Sequence, residues 1–386
     1  MRRSFGILAV IALSATVSLA QNGGYLLINN DNVNGNSADI DTISSTGALA
    51  LLATVQTGGT GVGGGFFSFP RNAIGQNFKC FFVADAASSD IAAFQIPSLK
   101  KVPTNFTNRQ LDGFYGIGLA VSPNGKFLYS AWSGSGNLAV MSIAPDCSLT
   151  LVGTPINQPD TSMSIAITKD GRALVVSYVD LGGAQAYTLN ATTGAMTTLG
   201  PQLSFNAAVS ECANVGCYPS AEDVDDSGQF WVWGNATLSG PSILTAKLTP
   251  RGFTNAAVAV YTGQTTLQNV QTPWFSPAAR AGNGNLYLGA MGFGTGYPAG
   301  IIVATFDAGT ITYASSTVNS AAFYAGTAQT IGKTGTGSPI AQIWSDSAAN
   351  NTVQSYTVSG TTLTPASSLK TTSSGSFAFS ITGVGR

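Results

Sequence analysis

The chain has 386 residues, of which Lys and Arg account for 16 and Asp and Glu for 17, giving a formal net charge of −1. Charged residues make up 9% of it, against about 25% in an ordinary soluble domain. With no basic run, nucleic acid and anionic membrane surfaces are excluded as partners, because both are recognised through clustered Lys and Arg. The chain contains no histidine, which excludes Ser-His-Asp and Cys-His catalysis and every histidine-based metal site. Any chemistry must rest on carboxylates, Arg, Lys, Tyr or a metal held by oxygen.

In chain order, Arg2 and Arg3 precede the short apolar run Gly6 to Leu13 and the small residues around Ala20. This is the pattern of a secretory signal peptide, and cleavage is expected after Ala20. The run is shorter than the roughly 20 residues a spanning helix needs, and no later stretch is long and apolar enough to span. The mature protein is therefore expected outside the cytoplasm, as one domain over residues 21–386 and as a monomer.

The remainder repeats a unit of four strands. Its first copy supplies strands at Tyr25–Asn30 and Ala38–Ile43. The segment from Gly59 to Gly64 matches G-x-G-x-x-G by letters, but without a βαβ context it reads as a loop. Gly116–Tyr129 is the clearest copy, and Ser164–Val175, Ala221–Val232 and Pro277–Leu288 are further ones. Each has a β-rich stretch, a turn ending in Gly, and an alternating apolar stretch. Asn-Gly and Asp-Gly suit such hairpins because both central residues tolerate positive φ. A second kind of turn is marked by Gly47, Gly194, Gly252, Gly309 and Gly360. The units cover about 65–104, 114–155, 161–200, 218–262, 273–317 and 326–370, and with the first copy make seven. Their spacing falls in the range of β-propeller blades, about 40 residues and upwards. The first unit lacks its own first strand, and Phe377–Gly385 reads like one. The expected fold is therefore all-β: a seven-bladed β-propeller of four-stranded antiparallel blades, closed by a C-terminal strand so that only short edges stay exposed.

Four cysteines stand at 80, 147, 212 and 217, and in an exported protein disulfides are the expectation. Cys212 and Cys217 bracket a short segment and would close a small loop, leaving Cys80 with Cys147 by elimination. Four cysteines allow three connectivities, which sequence alone leaves open.

The copy Gly116–Tyr129, with Gly136–Ile143 and Ser148–Val152 after it, resembles the bacterial seven-bladed lactonase-like propellers, whose relatives include secreted surface-layer propellers with Tyr-Val-Thr-Asn repeats. Some members of that family open sugar lactones, and others close lactone rings on muconate-type diacids. The resemblance implies the fold more strongly than an activity. Two departures matter. The missing histidine rules out any member mechanism that uses one, and the export signal separates this chain from enzymes of cytoplasmic phosphosugars, which would also want converging Arg and Lys.

The loops leading into first strands and those joining second to third strands share one face, the default ligand site around the channel. The longest lead-in loop, about 201–219, holds Cys212 and Cys217, with Glu211 and Tyr218 as candidate ligand-binding residues. Glu222 and Asp223 follow on an inner strand where other copies are apolar, and Arg71 and Arg280 replace apolar residues at matching positions. Glu222 with the two arginines forms a candidate catalytic set, and Asp223 a candidate ligand contact. The alternative is a structural ion pair between blades. Asp223, Asp225 and Ser227 have the spacing of a calcium loop, but Gly234 occupies the twelfth position and the segment also aligns with the hairpin turn Ser122–Gly125. No cofactor is otherwise expected. Trp132, Trp274, Tyr297 and Trp344 could stack on sugars, although in such a core aromatics more often pack between blades. The leading functional expectation is a secreted binding or interaction module whose loop face takes a small molecule, a carbohydrate or a protein. The alternative is a lactonase-like hydrolase or cyclase acting on a lactone or sugar acid.

Overall fold

The computed structural model describes residues 24–44, 48–62, 72–75, 79–96, 98, 101–102, 104–105, 117–235, 241–262, 267, 270–275, 284–290, 299–319, 325–328, 342–347, 352–370 and 380–385. The expected signal segment and Gly47 lie outside these residues.

The local unit forms as the turns dictate. In the repeat around Ser122, Gly125 takes φ 70°, and the Ser122 side chain accepts the Phe127 amide at 2.9 Å. The matching turns do the same with different side chains. Gly171 has φ 70° while Thr168 Oγ1 accepts the Ala173 amide at 3.0 Å. Gly228 has φ 69° while Asp225 Oδ1 accepts the Phe230 amide at 2.9 Å. A short oxygen side chain and a glycine free to adopt positive φ thus start the second strand of blades 3, 4 and 5 at a set place.

These hairpins extend into seven sheets, each built on four antiparallel strands, the architecture expected; the sheets of blades 3 and 4 carry additional short strands. Blade 1 runs Gly24–Asn29, Ser37–Ile43 and Leu49–Gln56, with Ser380–Gly385 paired to its first member. Blades 2, 3 and 4 have inner strands Asn72–Ile74, Ile117–Val121 and Ser162–Ile167, and blades 5, 6 and 7 have Pro219–Val224, Val270–Phe275 and Ala325–Ala328. The C-terminal strand pairs antiparallel from Asn29↔Ser380 to Gly24↔Gly385, in the position of a missing inner strand. Residues 377–379 of the expected strand lie outside the described residues. Inner strands touch in ring order, from that terminal strand through blades 2 to 7 and back to it.

Alternation explains the core. Successive side chains on a strand point to opposite faces, so each blade feeds two seams. Phe82 and Ala84 pack with Leu119, Leu128 and Trp132 of blade 3, while their neighbours Phe81 and Val83 pack with Tyr25 and Ile40 of blade 1. Likewise Trp231 and Trp233 face blade 4 and Val232 faces blade 6. Trp132 is fully buried, and emptying such a site costs about 3–5 kcal/mol. Trp274 packs at the seam of blades 6 and 7, so both of these tryptophans serve packing.

Both disulfides pair as expected, Cys80 with Cys147 across blades 2 and 3, and Cys212 with Cys217 within one loop. The 201–219 segment departs from a plain loop. It folds into two short helices, α1 (Phe205–Ala208) and α2 (Ser210–Val215). Ser204 Oγ caps α1 by accepting the Ala207 amide at 3.3 Å, and buried Phe205 meets Trp233 edge-on at 5.2 Å. Among the described residues no helix is long and apolar enough to cross a membrane.

Candidate functional site

The inner strand of blade 5, Pro219–Val224, carries the two acids that break the apolar pattern. Counting outward from the Asp225–Gly228 turn places Glu222 directly opposite Trp233, with an irregularity between Pro219 and Glu222. The Glu222 backbone amide donates to Ser164 Oγ of blade 4 at 3.0 Å. The Trp233 indole N–H donates to Glu222 Oε2, while Oε1 makes no hydrogen bond. The residue is 8% exposed. Burial pushes its carboxyl well above the usual range, against the opposing pull of the Trp233 indole and the nearby Ala166 amide. No ion pair forms at Glu222 among the described residues; the Trp233 indole holds the carboxyl within blade 5, and the bond to blade 4 is made by the Glu222 backbone amide.

Asp223 points the other way, as its neighbour on a strand must. Its Oδ2 accepts the Phe275 amide of blade 6 at 2.7 Å, and its Oδ1 the Val224 amide at 2.8 Å. Burial pushes it up to about 7, despite those amides. The two adjacent acids therefore serve opposite seams. Glu222 belongs to the seam with blade 4, Asp223 to the seam with blade 6.

Asp225 and Ser227 sit in the hairpin turn itself. Asp225 Oδ1 accepts the amides of Gln229 and Phe230 at 3.0 and 2.9 Å, and Oδ2 accepts the Ser227 hydroxyl at 2.6 Å. The calcium-like spacing with Asp223 is here the spacing of a turn whose acceptors are already used. Among the described residues no cluster of three or more acidic or cysteine side chains is arranged for a metal.

Glu211 and Tyr218 lie at the other end of that strand. At about 3.3 Å per residue, Tyr218 and Asp225 are roughly 20 Å apart, at opposite ends of the strand. Glu211 stands in the first turn of α2. Its own backbone amide and the Ser210 hydroxyl hold its carboxyl below the usual range. The Tyr218 side chain is 38% exposed. Its hydroxyl lies so close to Gly216 that a Cβ there would come within 2.9 Å. Arg71 and Arg280 lie outside the described residues.

Two groups escaped the sequence reading. The first is Trp233, whose position opposite Glu222 follows from equal counting on either side of the turn. The second is a buried polar cluster between blades 1 and 2. Asn36 Nδ2 donates to Asn29 Oδ1 at 2.9 Å and to Asp85 Oδ1 at 2.7 Å. Burial pushes Asp85 up to about 8, with the neighbouring Asp90 adding to it. The run Asn29 to Asn32 was the only local signal of this cluster, and a polar run ordinarily reads as exposed loop.

With this geometry in hand, the chain can be set beside known proteins. Residues 70–213 match the family model described as Lactonase, 7-bladed beta-propeller. No curated protein matches the sequence. Among solved structures, the chain is similar to a provisional 6-phosphogluconolactonase of Bacteroides fragilis at 14% identity and TM-score 0.65, covering 94% of this chain and 98% of that one. It is similar to a functionally unknown protein of Desulfotomaculum acetoxidans at 13% identity and TM-score 0.65, covering 94% and 99%. It is also similar to the periplasmic gluconolactonase of Pseudomonas aeruginosa at 12% identity and TM-score 0.59, covering 90% and 96%. At these identities the structures speak for the fold. By fold the chain is a seven-bladed β-propeller, and over residues 70–213 its sequence is similar to the lactonase family of such propellers.

Proposed function

We propose that the protein is an exported lactonase-like hydrolase that opens a lactone or sugar-acid lactone, with Glu222 as its proton-transferring carboxyl group. The observation that carries this reading is the Glu222 side chain: buried on an inner strand, anchored through one oxygen by Trp233, with the other oxygen buried and making no hydrogen bond. A carboxyl group that burial lifts above its usual range can both accept and return a proton. In lactone hydrolysis, water adds to the ring carbonyl as Glu222 Oε1 takes its proton, and the same proton then passes to the departing ring oxygen. Arg71 and Arg280 are the proposed partners for the carboxylate or oxyanion that forms. The family match and the gluconolactonase among the structural neighbours support a lactone substrate. The two disulfides support an oxidising compartment, hence export.

A screen of neutral and acidic sugar lactones tests it. Wild type should turn over at least one of them, and Glu222→Gln should lose about 10²–10⁴-fold in kcat. Trp233→Phe keeps the packing but removes the indole donor that favours the charged carboxylate. Its activity limb should therefore move to higher pH. Absence of turnover by wild type, or full turnover by Glu222→Gln, would overturn the reading.

A further inference from the structure

We infer that the upper face of blades 4 and 5 is a docking surface for a basic polypeptide segment carrying an apolar anchor side chain, a role separate from lactone chemistry. The upper face is the one formed by lead-in loops and by turns between second and third strands. Two such segments meet there. The Val179–Gly182 turn of blade 4 lies directly against the α1–α2 segment of blade 5. The Phe205 amide donates to the Gly182 carbonyl at 2.8 Å, and a Cβ on Gly182 would come within 2.5 Å of the Cys217 carbonyl. Only glycine permits so close an approach, and its φ of 57° suits the turn. The Cys212–Cys217 bridge then holds the α1–α2 segment. This surface is preorganised, which lowers the ordering cost of binding.

Its composition is unlike the rest of the chain. Leu181, Val215 and Tyr218 are 44%, 59% and 38% exposed, three of the six large apolar residues exposed among those described. Glu211 and Val215 are four apart on α2 and share one of its faces. Around these apolar groups stand Asp160, Asp180 and Glu211. Asp160 Oδ2 accepts the Leu181 amide at 2.7 Å. Burial and then the Asp160 carboxylate raise the Asp180 carboxyl, a sign of uncompensated negative charge. The bases of blade 4, Lys169 and Arg172, are at the opposite face, in the turn after the inner strand, and already pair with Asp226 and Asp170. That turn is about 20 Å away along a six-residue strand. An apolar centre ringed by carboxylates, in a chain of net charge −1, complements a cationic and partly apolar partner. A neutral saccharide would leave the carboxylates unused, and an anionic surface would be repelled.

A ten-residue Lys/Leu peptide and its Glu/Leu counterpart serve as probes, followed by fluorescence anisotropy on the full chain. The Lys/Leu peptide should bind saturably and weaken about tenfold between low and high salt, as screening of paired charges requires. The variants Glu211→Lys with Asp180→Lys, and separately Val215→Ser with Leu181→Ser, should each weaken it by about tenfold, the usual consequence of losing central contacts. Lys169→Glu, on the opposite face, should leave it unchanged. Near-UV circular dichroism confirms that each variant is folded. Equal binding of the Glu/Leu peptide, wild-type binding by both upper-face variants, or no saturable binding at all would overturn the proposal.

Discussion

Blades 2 to 4 and blades 5 to 7 share the antiparallel order of their strands but differ at the rim. The outer strands of blades 2, 3 and 4 have 2, 3 and 3 residues, whereas those of blades 5, 6 and 7 have 9, 10 and 9. Blade 1, with 8, belongs with the second group. In blades 3 and 4, later or earlier segments supply the missing rim pairs. Thr104–Asn105 runs parallel to the outer strand of blade 3, and Leu203–Ser204 pairs with the third strand of blade 4. A long bare edge is a template for unwanted pairing, and a bulge that twists the edge is one protection. Each long outer pair has such an irregularity, at Ile40/Asp41, Thr245/Lys247, Val303/Ala304 and Ser355/Tyr356. The short-rimmed half instead carries the covalent tie between blades, Cys80–Cys147. The lesson is that blades alike in their inner hairpins are held together by different means on the two sides of the ring.

The comparison breaks most severely at the seam between blades 7 and 1. Ending the chain at residue 379 removes the six-residue strand paired with Gly24–Asn29. We predict a loss above about 4 kcal/mol, read as a large fall in melting temperature. An unchanged melt would show that the terminal strand does not lock the ring. Next come the disulfides. Cys80 and Cys147 are 67 residues apart and Cys212 and Cys217 are 5 apart. Loop-closure entropy then predicts losses of about 4 and about 2 kcal/mol for the paired serine variants, by chemical denaturation. A larger loss from the shorter loop would place the tie in the α1–α2 segment instead.

The long-rimmed side also carries a pH effect. Asp41 of blade 1 is fully buried and neither carboxyl oxygen makes a hydrogen bond. Burial, then Asp39, pushes it up to about 7 from 3.8. A carboxyl with a raised folded pKa binds more protons folded than unfolded in that window, so stability falls as pH rises through it. Stability should decline from about pH 4 to about pH 7, by on the order of 4 kcal/mol for this group, as read from denaturation midpoints. Asp41→Asn should flatten part of the decline, and an identical slope in the variant would remove Asp41 as its cause. The smallest effect is expected at Lys169, 55% exposed and paired with Asp226 between blades 4 and 5. Lys169→Ala should cost less than about 1 kcal/mol and nothing at high salt, as checked by urea titration in both conditions.

Much of this was legible beforehand wherever the signal is local. The turns at Gly125, Gly171 and Gly228 announce themselves through residues a few positions apart, and seven of the units they start could be counted. The same locality marks the Cys212–Cys217 loop, whereas Cys80–Cys147 followed by elimination and the terminal strand from the first unit's missing member. The candidate site was only half legible. That Glu222 and Asp223 break an apolar pattern was visible; that they serve opposite seams is a matter of strand alternation and neighbour identity.

Taken alone, the order of residues determined which turns form and how many blades follow, because turn chemistry and two-residue alternation act over short stretches of chain. Only the tertiary structure decided that the Glu222 amide meets Ser164 of blade 4, that α1 and α2 pack against the turn of the preceding blade, and that Asp41 and Asp85 are buried. Those outcomes depend on neighbouring blades, and desolvation and pairing are set when blades close on one another.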